Sequence, residues 1–157
     1  MGSASGASRS PAKPRAPMAD VPARLDARPV ILFDGVCNLC NGAVNFVIDH
    51  DPAGHFRFGA LQSEGGSALL RAHGLGAAYL DSLVLVESGR VHTKSDAALR
   101  IARGLGAPWS LAYYAFVAVP KPLRDAVYGV VAANRYRWFG RQESCRMPTP
   151  ELRARFV

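Results

Sequence analysis

Two cysteines, Cys37 and Cys40, stand two residues apart where an apolar run meets a turn. Val30-Ile31-Leu32-Phe33 reads as a buried strand and Asp34-Gly35 as a turn signal. Ala43-Val44-Asn45-Phe46-Val47-Ile48 then carries apolar groups at helical spacing. Strand, turn, C-x-x-C and helix together form the layout of a thiol–disulfide site. The rest of the chain is read around this junction.

The layout has a physical logic. A helix starting near Cys37 places that residue among backbone N–H groups that lack intrahelical partners. Those donors and the positive end of the helix dipole favour an anion. Cysteines so placed are generally more acidic than free cysteine. Cys40 follows one turn later on the same helix face, a separation compatible with an intramolecular disulfide. Cys37 is therefore the candidate attacking thiol and Cys40 the candidate resolving thiol. Asn38-Leu39 between them tunes the redox potential.

Asp34 precedes Cys37 by three residues, and a carboxylate beside a thiolate raises the thiol pKa. Two roles fit it. Asp34 exchanges a proton with a cysteine during the reaction, or it caps the turn by accepting backbone N–H bonds.

The words Asp34-Gly35-Val36-Cys37-Asn38-Leu39-Cys40 also resemble the DCC family of thiol-disulfide oxidoreductases, named for its D-x-x-C-x-x-C pattern. Ser95-Asp96-Ala97-Ala98, Pro108-Trp109 and the block Asn134–Arg141 look like further landmarks of that family. The resemblance covers roughly residues 30–147. It implies a thioredoxin-like fold and a redox function, and no particular substrate. In thioredoxin-like redox enzymes a cis-proline usually precedes the third strand and faces the C-x-x-C. Leu80-Asp81-Ser82 occupies that place here, so a thioredoxin-type substrate clamp is expected to be absent or differently built.

The chain of 157 residues is long enough for one domain with its own core. Its net charge of +7 is unevenly spread. Residues 1–29 and 121–157 are basic, while the stretch between is close to neutral. A basic balance raises the question of nucleic acid, but only Arg135-Tyr136-Arg137-Trp138 interleaves cations with aromatics, and it is short. The expectation is a solvated basic tail and no nucleic-acid partner. Three cysteines are too few for a secreted disulfide scaffold. With one C-x-x-C among them they fit a reducing compartment, and a cytoplasmic location is expected.

Residues 1–28, rich in Ala, Ser, Pro, Gly and Arg, read as a disordered basic leader. Residues 29–157 read as a single domain. Helix one is expected near Leu39–Asp49, strand two over His55–Leu61 and a short helix over Ser67–His73. A hairpin joins Ser82–Val86 to Arg90–Thr93 through Ser88-Gly89. Ser95 then caps the next helix, whose apolar face holds Ala97, Ala98, Ile101, Ala102 and Leu105. The expected fold class is α/β, a thioredoxin-like βαβα-ββα core with additional C-terminal helices. Trp109–Val119 is apolar almost throughout but too short to span a bilayer, so it reads as a buried helix covering the sheet. Leu123–Ala133 follows, with Leu123, Val127, Val130 and Val131 spaced for packing. Thr149-Pro150-Glu151 starts a last short helix.

Other readings compete at the cysteines. A zinc site needs two more ligands. Only Cys145 remains as a thiol, and His50, His55, His73 and His92 are scattered singly, so no metal and no cofactor is expected. Inert core cysteines fit poorly with the polar neighbours Asp34, Asn38 and Asn41. Cys145 reads as a loop residue or a second resolving thiol, and Arg135, Arg137 and Arg141 as a helix end or as cations near the thiolate. The partners expected are a disulfide-containing protein or small molecule and an electron donor. A non-enzymatic redox sensor or adaptor is the alternative to an enzyme.

Overall fold

Among the described residues, four short strands and five helices follow one another in the order the sequence predicts for its first three-quarters. A computed structural model describes residues 28–76, 79, 82–141, 150 and 154–157. The leader, Cys145 and nearly all of the expected last helix lie outside the described residues.

The apolar run Val30–Phe33 forms β1, buried on both faces. It pairs in parallel with β2 (Arg57–Ala60), Val30 opposite Arg57 and Phe33 opposite Ala60. On its other side it pairs antiparallel with β3 (Val84–Glu87), Leu32 opposite Val84. A two-residue turn with φ of 50° at Ser88 and 73° at Gly89 returns the chain as β4 (Arg90–Thr93). Positive φ at both turn positions matches the right-handed twist of the flanking strands. The sheet order is β2-β1-β3-β4.

Alternation along β1 sends its side chains into two separate cores. Ile31 and Phe33, with Phe58 and Leu85, meet Val44 and Val47 of α1 (Asn38–His50) and Ala97 and Ile101 of α3 (Lys94–Gly104). Val30, Leu32 and Val84 meet Leu69 and Leu70 of α2 (Glu64–Ala72) on the opposite face. Helix α2 starts earlier than the sequence suggests, because the Ser63 hydroxyl accepts from Gly66 N at 3.0 Å and begins the helix there. The result is the expected mixed α/β, thioredoxin-like arrangement of three layers.

Three expectations are corrected. Thr93, and not Ser95, is the N-cap of α3. The Ser95 hydroxyl instead donates to Asp125 in α5 (Lys121–Phe139). Trp109–Val119 does not supply a buried helix over the sheet. Helix α4 (Ser110–Val117) has no buried residue, and Leu111 and Tyr114 are exposed. With α1 and α3 already covering that face of the sheet, α4 packs outside, against α3. Trp109 at its start meets Phe46 of α1 edge-on, with ring centroids 4.8 Å apart.

Of the packing stripe expected on α5, Val131 is half-buried and lines a cleft, while the other three residues point the other way. Leu123, Val127 and Val130 are 58%, 61% and 56% exposed. The inward face carries Arg124, Asp125, Tyr128, Arg135 and Tyr136. Arg124 and Lys121 pair with Asp96 of α3 at 3.2 and 2.6 Å. The Tyr128 hydroxyl accepts from Leu83 N at 3.0 Å. Specific polar bonds, more than apolar burial, dock this helix.

Candidate active site

Cys37 closes the turn after β1 and is the N-cap of α1, in extended backbone conformation (φ −87°, ψ 123°). Its carbonyl accepts the first helical bond, from Asn41 N at 2.9 Å. The turn is shaped by what precedes it. Cys37 N donates to Asp34 O at 3.2 Å, and Val36 N to Asp34 Oδ1 at 3.1 Å. The Asn41 amide donates back to Gly35 O at 2.9 Å. Each bond holds the strand-to-helix corner that points the cysteine at the helix start.

Asp34 is 2% exposed and fully engaged. Gln62 Nε2 donates to its Oδ1 at 2.6 Å. The Tyr136 hydroxyl donates to its Oδ2, and Arg135 Nη2 lies 3.4 Å from the same oxygen. Burial pushes the carboxyl pKa up, but the bonds from Tyr136, Gln62 and Val36 and the Arg135 charge outweigh it, and the net direction is down. Two guanidinium groups stack near the Tyr136 ring, Arg135 at 4.7 Å and Arg141 at 4.6 Å from its centroid. Its own pKa is pushed up, by burial and by the bond to Asp34.

Beyond α5 the chain turns at Gly140 (φ 81°) and crosses the start of α1. A side chain at Gly140 would bring its Cβ within 3.0 Å of Asn38 Nδ2, and φ there is one that L-residues avoid. Asn38 N donates to Gly140 O at 3.3 Å, and Asn38 Nδ2 to Phe139 O at 2.7 Å. Cys37 and Arg141 form an antiparallel bridge. Beneath this crossing Cys37 is 0% exposed.

Cys40 lies one turn into α1, half-buried, within hydrogen-bonding reach of Cys37. Burial, and then the neighbouring Cys37 sulfur, push its thiol pKa up to about 12. It lines a cleft of about 180 Å³ together with Asp34, Ser82 and Arg135.

The three residues expected at the site, Cys37, Cys40 and Asp34, thus share one corner of the fold. Arg135 and Arg141 join them, and Arg137 is exposed on α5. Among the described residues no three His, Cys, Asp or Glu side chains gather where they could hold a metal ion. Sequence reasoning missed Tyr136, Gln62 and Tyr128. Tyr128, Ala132, Arg135 and Tyr136 recur at helical spacing, but a polar face ordinarily reads as solvated.

A family model described as DCC1-like thiol-disulfide oxidoreductase matches residues 31–141. The chain is 52% identical over 128 residues to "Uncharacterized protein YuxK" of Bacillus subtilis (strain 168), covering 82% of this chain and 93% of that protein. It is 47% identical over 122 residues to "DCC family protein At1g52590, chloroplastic" of Arabidopsis thaliana, covering 78% of this chain and 71% of the relative. No solved structure matches. With the cysteine pair at a helix start and the match running through β1 to Arg141, the chain belongs to the DCC1-like thiol-disulfide oxidoreductase family.

Proposed function

We propose that the protein is a thiol-disulfide oxidoreductase that cycles between a Cys37/Cys40 dithiol and the corresponding disulfide through a mixed disulfide with its substrate. The observation that carries this is the placement of Cys37 at the N-cap of α1 with the Cys40 thiol in reach. The amino end of a helix is in general a favourable place for a step that leaves charge on sulfur. Asp34 acts as a positioning residue. Its oxygens are occupied by four donors, which supports the capping role over proton exchange. The substrates are disulfides or thiols of a protein or small molecule, with an electron donor of the reducing compartment, taken as the cytoplasm. Among the described residues no helix is long and apolar enough to cross a membrane.

Oxidation of the full chain followed by peptide mass mapping tests the reading. A Cys37–Cys40 disulfide that dithiothreitol opens at neutral pH, and that titrates as a two-electron couple, is expected. Cys37→Ser and Cys40→Ser each abolish the couple. A pair that never forms a disulfide overturns the proposal. The outward apolar stripe of α5 favours one second reading, a redox-switched adaptor. That reading requires a partner bound in only one redox state and no turnover.

A further inference from the structure

The two sulfurs differ in access. Cys37 is 0% exposed beneath the Phe139–Arg141 crossing. Cys40 faces the cleft between α1, α3 and α5. The cleft wall is hydrocarbon: Leu39, Ala43, Leu83, Ala98, Val131 and Ala132. Its polar groups are turned to protein partners. The Tyr128 hydroxyl accepts from Leu83 N, and the Arg135 guanidinium meets Asp34 and Tyr136. Ala43, Leu83 and Ala98 also line an adjoining apolar hollow of about 190 Å³ that runs toward Trp109.

Resting on the thiol–disulfide reading above, we propose that Cys40, and not Cys37, is the sulfur that meets the substrate, and that the cleft selects a thiol carried on an apolar group. In the oxidised protein the substrate thiolate enters the cleft and attacks Cys40 Sγ. A Cys40–substrate S–S bond forms and the Cys37–Cys40 bond breaks. The electron pair leaves on Cys37 Sγ, at the amino end of α1, where the helix dipole favours negative charge. Exchange depends on which sulfur can be reached and on how well the other leaves, and this geometry gives each cysteine one of the two tasks. A second thiol of the substrate then attacks the substrate sulfur of the mixed disulfide. The substrate departs as a disulfide, and Cys40 leaves as thiolate and takes up a proton. The substrate dithiol is oxidised by two electrons and the protein disulfide is reduced by two.

The test starts from the full chain oxidised to the Cys37–Cys40 disulfide. It is mixed at neutral pH with benzyl mercaptan or with mercaptoethanesulfonate, quenched in acid over a time series and peptide-mapped. The earliest adduct is expected on Cys40 with Cys37 as free thiol. Benzyl mercaptan is expected to react about tenfold faster at equal thiolate concentration, a factor equivalent to ~1.4 kcal/mol. Ala98→Phe, at an exposed position on α3, narrows the cleft and is expected to slow benzyl mercaptan by about tenfold and the sulfonate less, with the far-UV circular dichroism unchanged. An earliest adduct on Cys37 overturns the assignment of roles. Equal rates for the two thiols, or no effect of Ala98→Phe, overturn the apolar entry. Failure of the disulfide to form sinks the thiol–disulfide reading itself, an outcome visible before any thiol is added.

Discussion

Asp34 shows how one buried charge organises this site. A carboxylate 2% exposed is costly unless its lone pairs are filled, and here donors from β2's end, the turn and α5 fill them. Removing that charge leaves Arg135 and Tyr136 facing an amide. Asp34→Asn is expected to cost about 3–5 kcal/mol, read by urea denaturation at neutral pH. The pH dependence has a definite sign. The folded-state pKa lies below the ordinary carboxylate value, so the stabilisation is complete above about pH 4 and is lost as pH falls through the still lower folded value. The wild type should therefore lose stability steeply on acidification, and Asp34→Asn should flatten that limb. An unchanged acid limb would show that Asp34 is not held ionised by the fold. Tyr136→Phe removes one charge-assisted bond while keeping the ring and its contacts with the two guanidinium groups, and should cost about 1.5–3 kcal/mol.

Helix α5 inverts the usual rule at the level of elements. Its apolar stripe faces outward and its polar face docks. Val127→Asp, at a position 61% exposed, should change stability by no more than about 0.5 kcal/mol; a loss of several kcal/mol would place that face in a core. Helix α2 obeys the ordinary rule. It lies so close to β2 that a Cβ on Gly66 would sit 2.0 Å from Ala60 O. Gly66→Ala must therefore push backbone from backbone and should destabilise by about 1–3 kcal/mol or more, measured by thermal melting. The element boundaries were legible where a signal is local, as at the Ser88-Gly89 hairpin turn. They were displaced where a long-range partner intervened. Ser95 has the chemistry of a cap, but Asp125, thirty residues away, takes its hydroxyl.

Residues 155–157 pair along the β2 edge of the sheet. Phe58 N donates to Arg155 O, and Val157 N to Phe58 O, each at 2.8 Å, so the terminus runs beside β2 and covers part of that edge. Arg155 meets Asp51 at 2.6 Å, with Asp51 6% exposed. Arg155→Ala leaves that carboxylate buried without its cation, and should cost about 3–5 kcal/mol by equilibrium unfolding. A loss well under about 1 kcal/mol would mark the pair as a surface contact. The same closure operates at the active-site end, where Phe139–Arg141 lies over Cys37. One chain segment thus runs along the β2 edge and another crosses the start of α1, and the second separates the cleft-lining Cys40 from the covered Cys37.

By itself the sequence determined much of the core and the cysteine corner: the apolar run of β1, the turn at Asp34-Gly35, the C-x-x-C and the amphipathic α1 and α3. These are set by period, turn geometry and residue type over a few neighbouring positions, which is information a linear chain carries. Only the tertiary structure decided that α5 turns its polar face inward, that Tyr136 and Gln62 hold Asp34, and that Cys37 is covered while Cys40 lines a cleft. The physical reason is the same in each case. A hydrogen bond between residues about a hundred positions apart, as from Tyr136 to Asp34, outweighs local hydropathy once a buried carboxylate must be satisfied, and no local pattern announces it.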